Sequence, residues 1–139
     1  MGQQQLLLII LGVIVVGIAV AVGITMFNDS ATSANRDAVT NDLINLASRA
    51  QQFYRRPTAL GGGGGSFAGL ASTGIKLLTK TSGTSMINGN GEYTILSASS
   101  SQVSLQGEGT ETGNDGTNPV KIVMDVWADS AKVNAASTN

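Results

Sequence analysis

The side chains that most often perform chemistry in proteins are absent from this sequence. Its 139 residues include no histidine and no cysteine, which excludes the commonest general base, thiol nucleophiles, disulfides and thiolate metal sites. Eight basic and nine acidic residues give a net charge of −1, and such a balance does not indicate a nucleic-acid surface. We therefore predict that the chain is not an enzyme, has no catalytic, cofactor-binding or metal site, and offers no readable contact with nucleic acid.

Two low-complexity segments resemble functional motifs but lack a required neighbour. The serine-rich residues 97–101 have no histidine and no nearby lysine to activate a hydroxyl. The five glycines Gly61–Gly65 are not followed by the Lys-Ser or Lys-Thr of a phosphate-binding loop. Both segments are therefore interpreted as connections between structural elements.

The N-terminal segment is apolar and long enough to cross a membrane. Nineteen residues, Leu6–Ile24, contain no charged side chain, and fourteen of them are Leu, Ile or Val. As a helix they span roughly 28 Å, close to the thickness of a bilayer core. Removing those fourteen side chains from water is worth on the order of 20–40 kcal/mol. We therefore predict that residues 1–28 form a hydrophobic helix that lies in lipid or against other apolar helices.

Small residues interrupt this apolar helix at regular spacings. Two of the pairs, Gly17/Ala21 and Ala19/Gly23, follow a small-xxx-small pattern that lets helix backbones approach closely in an apolar medium. Because glycine weakens a helix, the same region is also a candidate for local melting. The residues assigned to helix packing or melting are Gly12, Gly17, Ala19, Ala21 and Gly23.

A second helical pattern follows a short polar break at Asn28–Ser30. Apolar residues recur at spacings of three and four, which places them on one helical face; they are Val39, Leu43, Leu46, Ala50 and Phe53. Pro57 limits this pattern, since the residue before a proline resists helical geometry. The spacing predicts one long helix from about residue 3 to 56, amphipathic in its second half.

The rest of the chain predicts a small antiparallel sheet. Residues 57–91 are interpreted as a Gly-rich loop with short helical turns near Phe67–Leu70 and Ile75–Leu78. Residues 92–97 are rich in strand formers, and residues 102–106 and 120–127 alternate between apolar and polar side chains. A polar loop occupies residues 107–119, and residues 129–139 form a tail. The inward residues of the last two strands are Val103, Leu105, Ile122, Met124 and Val126.

A sheet of about three strands needs a helix on its apolar face. The predicted fold class is therefore α+β, with a long N-terminal helix whose amphipathic second half packs on the sheet. Residues 29–139 would form a globular head behind the hydrophobic helix of residues 1–28.

This arrangement resembles the type IV pilin and pseudopilin superfamily, and in particular a major type IV pilin. The resemblance covers the whole chain in architecture, and in sequence it rests on residues 1–27 (MGQQQLLLIILGVIVVGIAVAVGITMF) and the helix that follows. The family usually has Glu at the fifth mature position and often Pro near position 22, where this chain has Gln5 and Val22. Many members also have a C-terminal disulfide, which this chain lacks.

The resemblance implies a function, a location and partners. The chain would be a structural subunit of a prokaryotic helical filament at the cell surface, with a pool in the cytoplasmic membrane. It would polymerise with itself through the N-terminal helix after a prepilin peptidase removes a basic leader, with an ATP-driven machine assembling the subunits. Met1 would be the methylated mature N-terminus, or Gln3 would be if cleavage follows Gly2.

Gln5 changes the usual account of how the N-terminus is neutralised within that family. Glutamine is neutral and offers only a carbonyl acceptor, while an unpaired buried ammonium is costly. We hypothesise that Gln3, Gln4 and Gln5 together supply acceptors around the start of the helix. The other interpretation is that these glutamines lie at the membrane interface without a specific role.

An alternative function shares the same apolar helix. The chain would then be a single-pass membrane-anchored envelope protein, or a minor secretion pseudopilin that forms no filament by itself. A membrane-tethered enzyme that uses carboxylates is a third reading, which the scarcity of active-site residue types disfavours.

Overall fold

The computed structural model describes residues 2–79 and 83–134. The elements in chain order are helix α1 (Gly2–Arg55), a 3₁₀ turn (Thr58–Leu60), helices α2 (Gly69–Thr73) and α3 (Lys76–Thr79), and strands β1 (Ser85–Ile87), β2 (Gly91–Ala98), β3 (Gln102–Thr112), β4 (Pro119–Trp127) and β5 (Ala131–Asn134). A long N-terminal helix followed by an antiparallel sheet confirms the predicted α+β class.

Helix α1 is continuous over 54 residues and passes through the polar break at Asn28–Ser30. The chain comprises two compact units, Met1–Ala31 and Thr32–Asn139. The first unit is the apolar part of α1, and the second, called the head below, contains the rest of α1 and every other element. All buried residues of α1 lie between Val39 and Phe53, within the head.

The sheet has five antiparallel strands in the order β1-β2-β3-β4-β5, so the expectation of about three strands was wrong. The additional strands are the two edges: β1 lies in the segment interpreted as loop, and β5 lies in the predicted tail. They have three and four residues, too few for alternation to be recognised. Their pairing depends on main-chain hydrogen bonds to β2 and β4, which leave no mark on their own side-chain pattern.

Strand β3 extends to Thr112, whereas the sequence predicted that it ends at residue 106. The added part contains Gly107 and Gly109, which disfavour a strand when judged by propensity alone. A Cβ at Gly107 would lie 2.6 Å from Val39 Cγ1, and a Cβ at Gly109 would overlap Asn35 Oδ1. Glycine is therefore required here because α1 approaches the sheet backbone closely.

One hydrophobic core holds the head together. It combines six residues of α1 with the inner face of the sheet and with four residues from the segment between them, namely Phe67, Leu70, Ile75 and Leu78. The rings of Tyr54 and Phe67 lie with centroids 4.7 Å apart. The predicted helical turns at 67–70 and 75–78 thus correspond to α2 and α3, and they cover part of the core.

The five-glycine run closes the C-terminal end of α1. The backbone N–H groups of Gly63 and Gly65 donate to the carbonyls of Phe53 and Tyr54 at 2.7 and 2.8 Å. These bonds satisfy carbonyls that a helix end leaves without partners. Gly64 and Gly65 have φ values of 57° and 88°, which residues with a Cβ rarely adopt. The run is therefore an ordered cap for α1.

Candidate functional site

The N-terminal part of α1 exposes a continuous apolar surface. Every large apolar side chain from Leu6 to Phe27 is between 51 and 74% exposed. An 18-residue window of this helix has a mean hydropathy of 3.2, and none of it is buried within the structure. By length and composition the helix could cross a membrane, although an N-terminal signal sequence would meet the same criterion. Its lack of cover distinguishes it from the buried core helix of a soluble protein.

The glycines of this apolar surface are not required by any close contact among the described residues. A Cβ added at Gly12, Gly17 or Gly23 would meet nothing within 4 Å. With about 100° of rotation per residue, Gly12 lies within roughly 20° of Ala19 and Gly23. Gly17 and Ala21 were assigned to the same role from the sequence. They lie roughly 140–180° from Gly12, on the opposite side of the helix.

The predicted N-terminal site is only partly within the described residues. Gln3, Gln4 and Gln5 occupy the first turn of α1 and are exposed, whereas Met1 lies outside the described residues. Three successive helical positions span about 200° of the circumference, so the three amides project over more than half of it. The roles of these residues in processing and assembly stay predictions, as does helix melting between Gly17 and Gly23, which are helical here.

The structure places the predicted helix–sheet residues in a single cluster. All ten have exposures of 8% or less; they are Val39, Leu43, Leu46, Ala50, Phe53, Val103, Leu105, Ile122, Met124 and Val126. The same cluster includes Tyr93 on β2, whose exposure is 0%. The sequence analysis did not predict Tyr93 as a core residue.

A polar cluster that the sequence did not predict joins α1 to the β1–β2 turn. The carboxylate Oδ2 of Asp42 accepts hydrogen bonds from the side-chain amides of Asn88 and Asn90 at 2.9 and 2.8 Å, and from the Tyr93 hydroxyl at 2.6 Å. The Asn88 carbonyl Oδ1 accepts from the backbone N–H groups of Asn90 and Gly91, which fixes the turn. We call these four side chains the Asp42 cluster. The Asn-Gly-Asn-Gly turn was the one sequence signal near it.

The electrostatics of this cluster follow from its geometry. Burial acts to raise the pKa of Asp42, but the hydrogen bonds from Asn90, Tyr93 and Asn88 outweigh it and hold that pKa below its ordinary value. Burial and the neighbouring Asp42 carboxylate raise the pKa of the Tyr93 hydroxyl. Asp42 therefore stays ionised and Tyr93 stays protonated at neutral pH, so the cluster is a fixed structural contact and lacks a group poised for proton transfer.

Further polar contacts bind α1 to both ends of the sheet. Near its start in the head, Thr32 donates to the carbonyl of Thr112 at 2.9 Å, and the Asn35 amide donates to the carbonyl of Asn90 at 2.9 Å. Near its end, the Gln51 amide donates to the carbonyls of Trp127 and Ser130 at 3.1 and 3.3 Å. These contacts define which end of the sheet each part of α1 occupies.

An open groove of about 500 Å³ lies between the end of α1 and α3. It is lined by Arg49, Gln52 and Phe53 of α1, by Arg56 directly after α1, by Gly61, and by Leu77–Thr79. Arg49 donates to the carbonyl of Leu78 at 3.1 Å, which holds α3 beside α1. We call this the basic groove. It contains no histidine, cysteine or serine, and its two arginines suit it to holding an anion.

The described residues provide no group of three or more Asp or Glu side chains that could hold a metal ion. No family model, no curated protein and no solved structure was found to match this chain. The functional argument therefore rests on the residues and contacts of the chain itself.

Proposed function

We propose that this chain is a structural subunit of a helical extracellular filament of the type IV pilus kind. It would be held in the cytoplasmic membrane before assembly and would polymerise through the N-terminal part of α1. The proposal includes no catalytic step and no cofactor. Its partners are other copies of the chain, the membrane and, by the family resemblance, a prepilin peptidase and an ATP-driven assembly machine.

The observation that carries the proposal is the exposure of the apolar half of α1. None of its 18-residue hydropathy window is buried among the described residues, yet its transfer out of water is worth on the order of 20–40 kcal/mol. A domain of this size has a net stability of only about 5–15 kcal/mol. The helix must therefore be covered either by lipid or by the helices of other copies, and a pilin uses both environments in turn.

The positions of the small residues favour an open assembly over a closed dimer. One small face carries Gly12, Ala19 and Gly23, and a second carries Gly17 and Ala21, on opposite sides of the helix. One self-complementary face leads to a two-fold dimer, whereas two different faces give each helix a neighbour on both sides. Close backbone packing at such faces is a known source of helix association in apolar surroundings.

The exchange between membrane and filament is energetically plausible. Lipid tails are about as apolar as leucine, so moving the helix from a bilayer into a helix bundle changes the hydrophobic free energy little. Packing at the small faces and polar contacts at the helix start would then decide whether the helix stays in the bilayer or enters the bundle. Gln3, Gln4 and Gln5 would supply acceptors for the N-terminal ammonium of a neighbour, and a Gln5→Leu variant that assembles normally would contradict this role.

Electron microscopy of material sheared from cells, with mass spectrometry of the same fraction, tests the proposal. Thin uniform filaments in which this chain dominates are expected, and peptides from residues 2–31 in them would show that the apolar helix is retained. If the chain stays in the membrane fraction and no filament contains it, the chain is an anchored envelope protein or a minor pseudopilin. If the chain is secreted without that segment, the helix is a signal sequence.

A matched pair of variants tests the small faces. Gly17→Leu fills one small face, so we expect normal membrane insertion with a strongly reduced filament yield. Val22→Leu places the same leucine side chain at a position roughly 140° away from Gly17 around the helix, and we expect it to assemble normally. Equal yields for the two variants would show that the small faces are not packing surfaces.

A further inference from the structure

The charged residues of the head are separated between its two ends. Strand register and the contacts of α1 assign each described charge to the end near Thr32 or to the end near Arg55. The first end has six acidic and two basic residues: Asp37, Asp42, Glu92, Glu108, Glu111 and Asp115, with Arg36 and Lys121. The second end has five basic and two acidic residues: Arg49, Arg55, Arg56, Lys76 and Lys132, with Asp125 and Asp129.

The basic end contains a recess of suitable shape, the basic groove. Its two arginines, Arg49 of α1 and Arg56 directly after the end of α1, both line the groove. Among the described residues that line it, none is acidic. The Arg56 side chain makes no hydrogen bond or ion pair with any described residue, while Arg49 is oriented by its bond to the Leu78 carbonyl. A guanidinium has five N–H donors, and two guanidinium groups line the groove.

The acidic end projects carboxylates from the end of β3 and from the residues that follow it; we call residues 111–118 the acidic β3–β4 connection. Glu111 and Asp115 are both exposed. The backbone N–H of Glu111 donates to Asn35 Oδ1, so this connection lies beside the first helical turns of the head. Residues 35 and 49 of α1 are about 21 Å apart along the helix axis. A chain therefore cannot place its own Glu111 in its own basic groove.

We infer that the basic groove of one copy receives the acidic β3–β4 connection of a second copy. The contact joins two different surfaces at opposite ends of the head, so it is head-to-tail and can repeat from one copy to the next. Such a contact suits a filament. The inference rests on the proposed function, because the filament is what brings a second copy of the chain next to the first. Complementary charge would also orient the incoming head before close contact.

A charge exchange tests the contact in the full-length chain. Arg56→Glu and Glu111→Lys are each expected to lower the filament yield by up to about fivefold, which is the most that the loss of one exposed ion pair produces. The double variant restores opposite charges and is expected to recover most of the yield. Arg56 is chosen because Arg49→Glu would also remove the bond that holds α3. Arg55→Glu, which changes a neighbouring arginine outside the groove, is the matched control and should assemble normally.

Disulfide trapping provides a readout that does not require filaments. The chain has no cysteine, so a variant with both Gln52→Cys and Asn114→Cys places one thiol at each proposed surface. Mild oxidation of membranes or filaments from cells that make this variant is expected to give a ladder of dimers, trimers and longer species. Each single-cysteine variant should give no species beyond a dimer.

The outcomes separate this inference from the proposed function. A ladder in membranes that never yield filaments would support the head-to-tail contact and refute the filament. Filaments that give no ladder, and whose yield is unchanged by Arg56→Glu, would overturn the contact and leave the filament standing. The absence of both ladder and filaments would overturn both proposals.

Discussion

Removal of the Asp42 carboxylate is expected to destabilise the head by about 2–4 kcal/mol. Asp42 lies on α1 and its three hydrogen-bond donors lie 46 to 51 residues away, on the β1–β2 turn and β2. Asp42→Ala would leave these donors without their acceptor and would release the contact that fixes α1 against this turn. The largest part of the effect should come from Tyr93, whose side chain has 0% exposure and no access to water.

The magnitude follows from what each donor loses. A buried hydroxyl without a partner costs about 1–3 kcal/mol. The Asn88 and Asn90 amides lie nearer the surface, where water can replace the carboxylate, so each adds only about 0.5 kcal/mol. For a head of this size, 1 kcal/mol shifts the melting temperature by about 4–8 °C. A fall of roughly 8–32 °C is therefore expected for Asp42→Ala.

The assay is chemical or thermal denaturation of the full-length chain in detergent micelles. The single tryptophan, Trp127, lies at the end of β4 and reports unfolding of the head by its fluorescence. Asp37→Ala is the control, because Asp37 is an exposed acid on the same helix and its replacement makes the same small gain in helix propensity. If the two alanine variants differ by less than 0.5 kcal/mol, the Asp42 cluster does not stabilise the head and the reasoning is refuted.

The same residue predicts a pH dependence with a defined sign. The pKa of Asp42 is lower in the folded head than its ordinary value, so the unfolded chain binds more protons near pH 4. The stabilisation is therefore fully present above the unfolded pKa of about 4, and it is lost as the pH falls through the lower folded pKa. The difference in unfolding free energy between the native chain and Asp42→Asn should narrow below pH 4. A constant difference down to pH 2 would contradict this account.

Two other predictions use the same denaturation assay. Gly107→Ala should lower the free energy of unfolding by about 1–3 kcal/mol through overpacking, because the new Cβ would lie 2.6 Å from Val39 Cγ1. Gly89→Ala, whose Cβ would have nothing within 4 Å, should leave it unchanged. Equal effects of the two variants would show that the close approach of α1 to Gly107 does not limit the side chain there. Leu43→Ala removes a side chain with 0% exposure and should cost about 2–5 kcal/mol. Ile44→Ala replaces a side chain with 50% exposure and should lower the free energy of unfolding by less than about 1 kcal/mol. If Leu43→Ala has an effect as small as that of Ile44→Ala, Leu43 does not belong to the core.

Features encoded in local patterns were predictable from the sequence. The uninterrupted apolar run Leu6–Ile24 indicated an apolar helix, and its side chains are exposed. Spacings of three and four placed Val39 to Phe53 on one buried face. Alternation in β4 indicated that Ile122, Met124 and Val126 face inward, and all three are buried. In each case one physical rule, helical or strand periodicity, acts on neighbouring residues, so no knowledge of distant contacts is needed.

The five-strand sheet and the ordered glycine run depended on contacts between distant residues. Strands β1 and β5 are short and exist because β2 and β4 offer them hydrogen-bonding edges. The glycines at 61–65 suggested only a loop, but Gly63 and Gly65 donate to the last turn of α1 and Gly64 donates to Arg56 directly after it. Conformational freedom is what a glycine contributes by itself, and the neighbouring helix end decides how that freedom is used.

The sequence by itself determined that this protein has an apolar N-terminal helix, an amphipathic continuation and a sheet, and that histidine and cysteine chemistry is excluded. Only the tertiary structure decided that Asp42 meets Asn88, Asn90 and Tyr93, and that arginines and carboxylates collect at opposite ends of the head. The physical reason is that the residues of each cluster are distant in sequence. A hydrogen bond or charge cluster between such residues forms only when the packed core brings them within a few ångströms of each other.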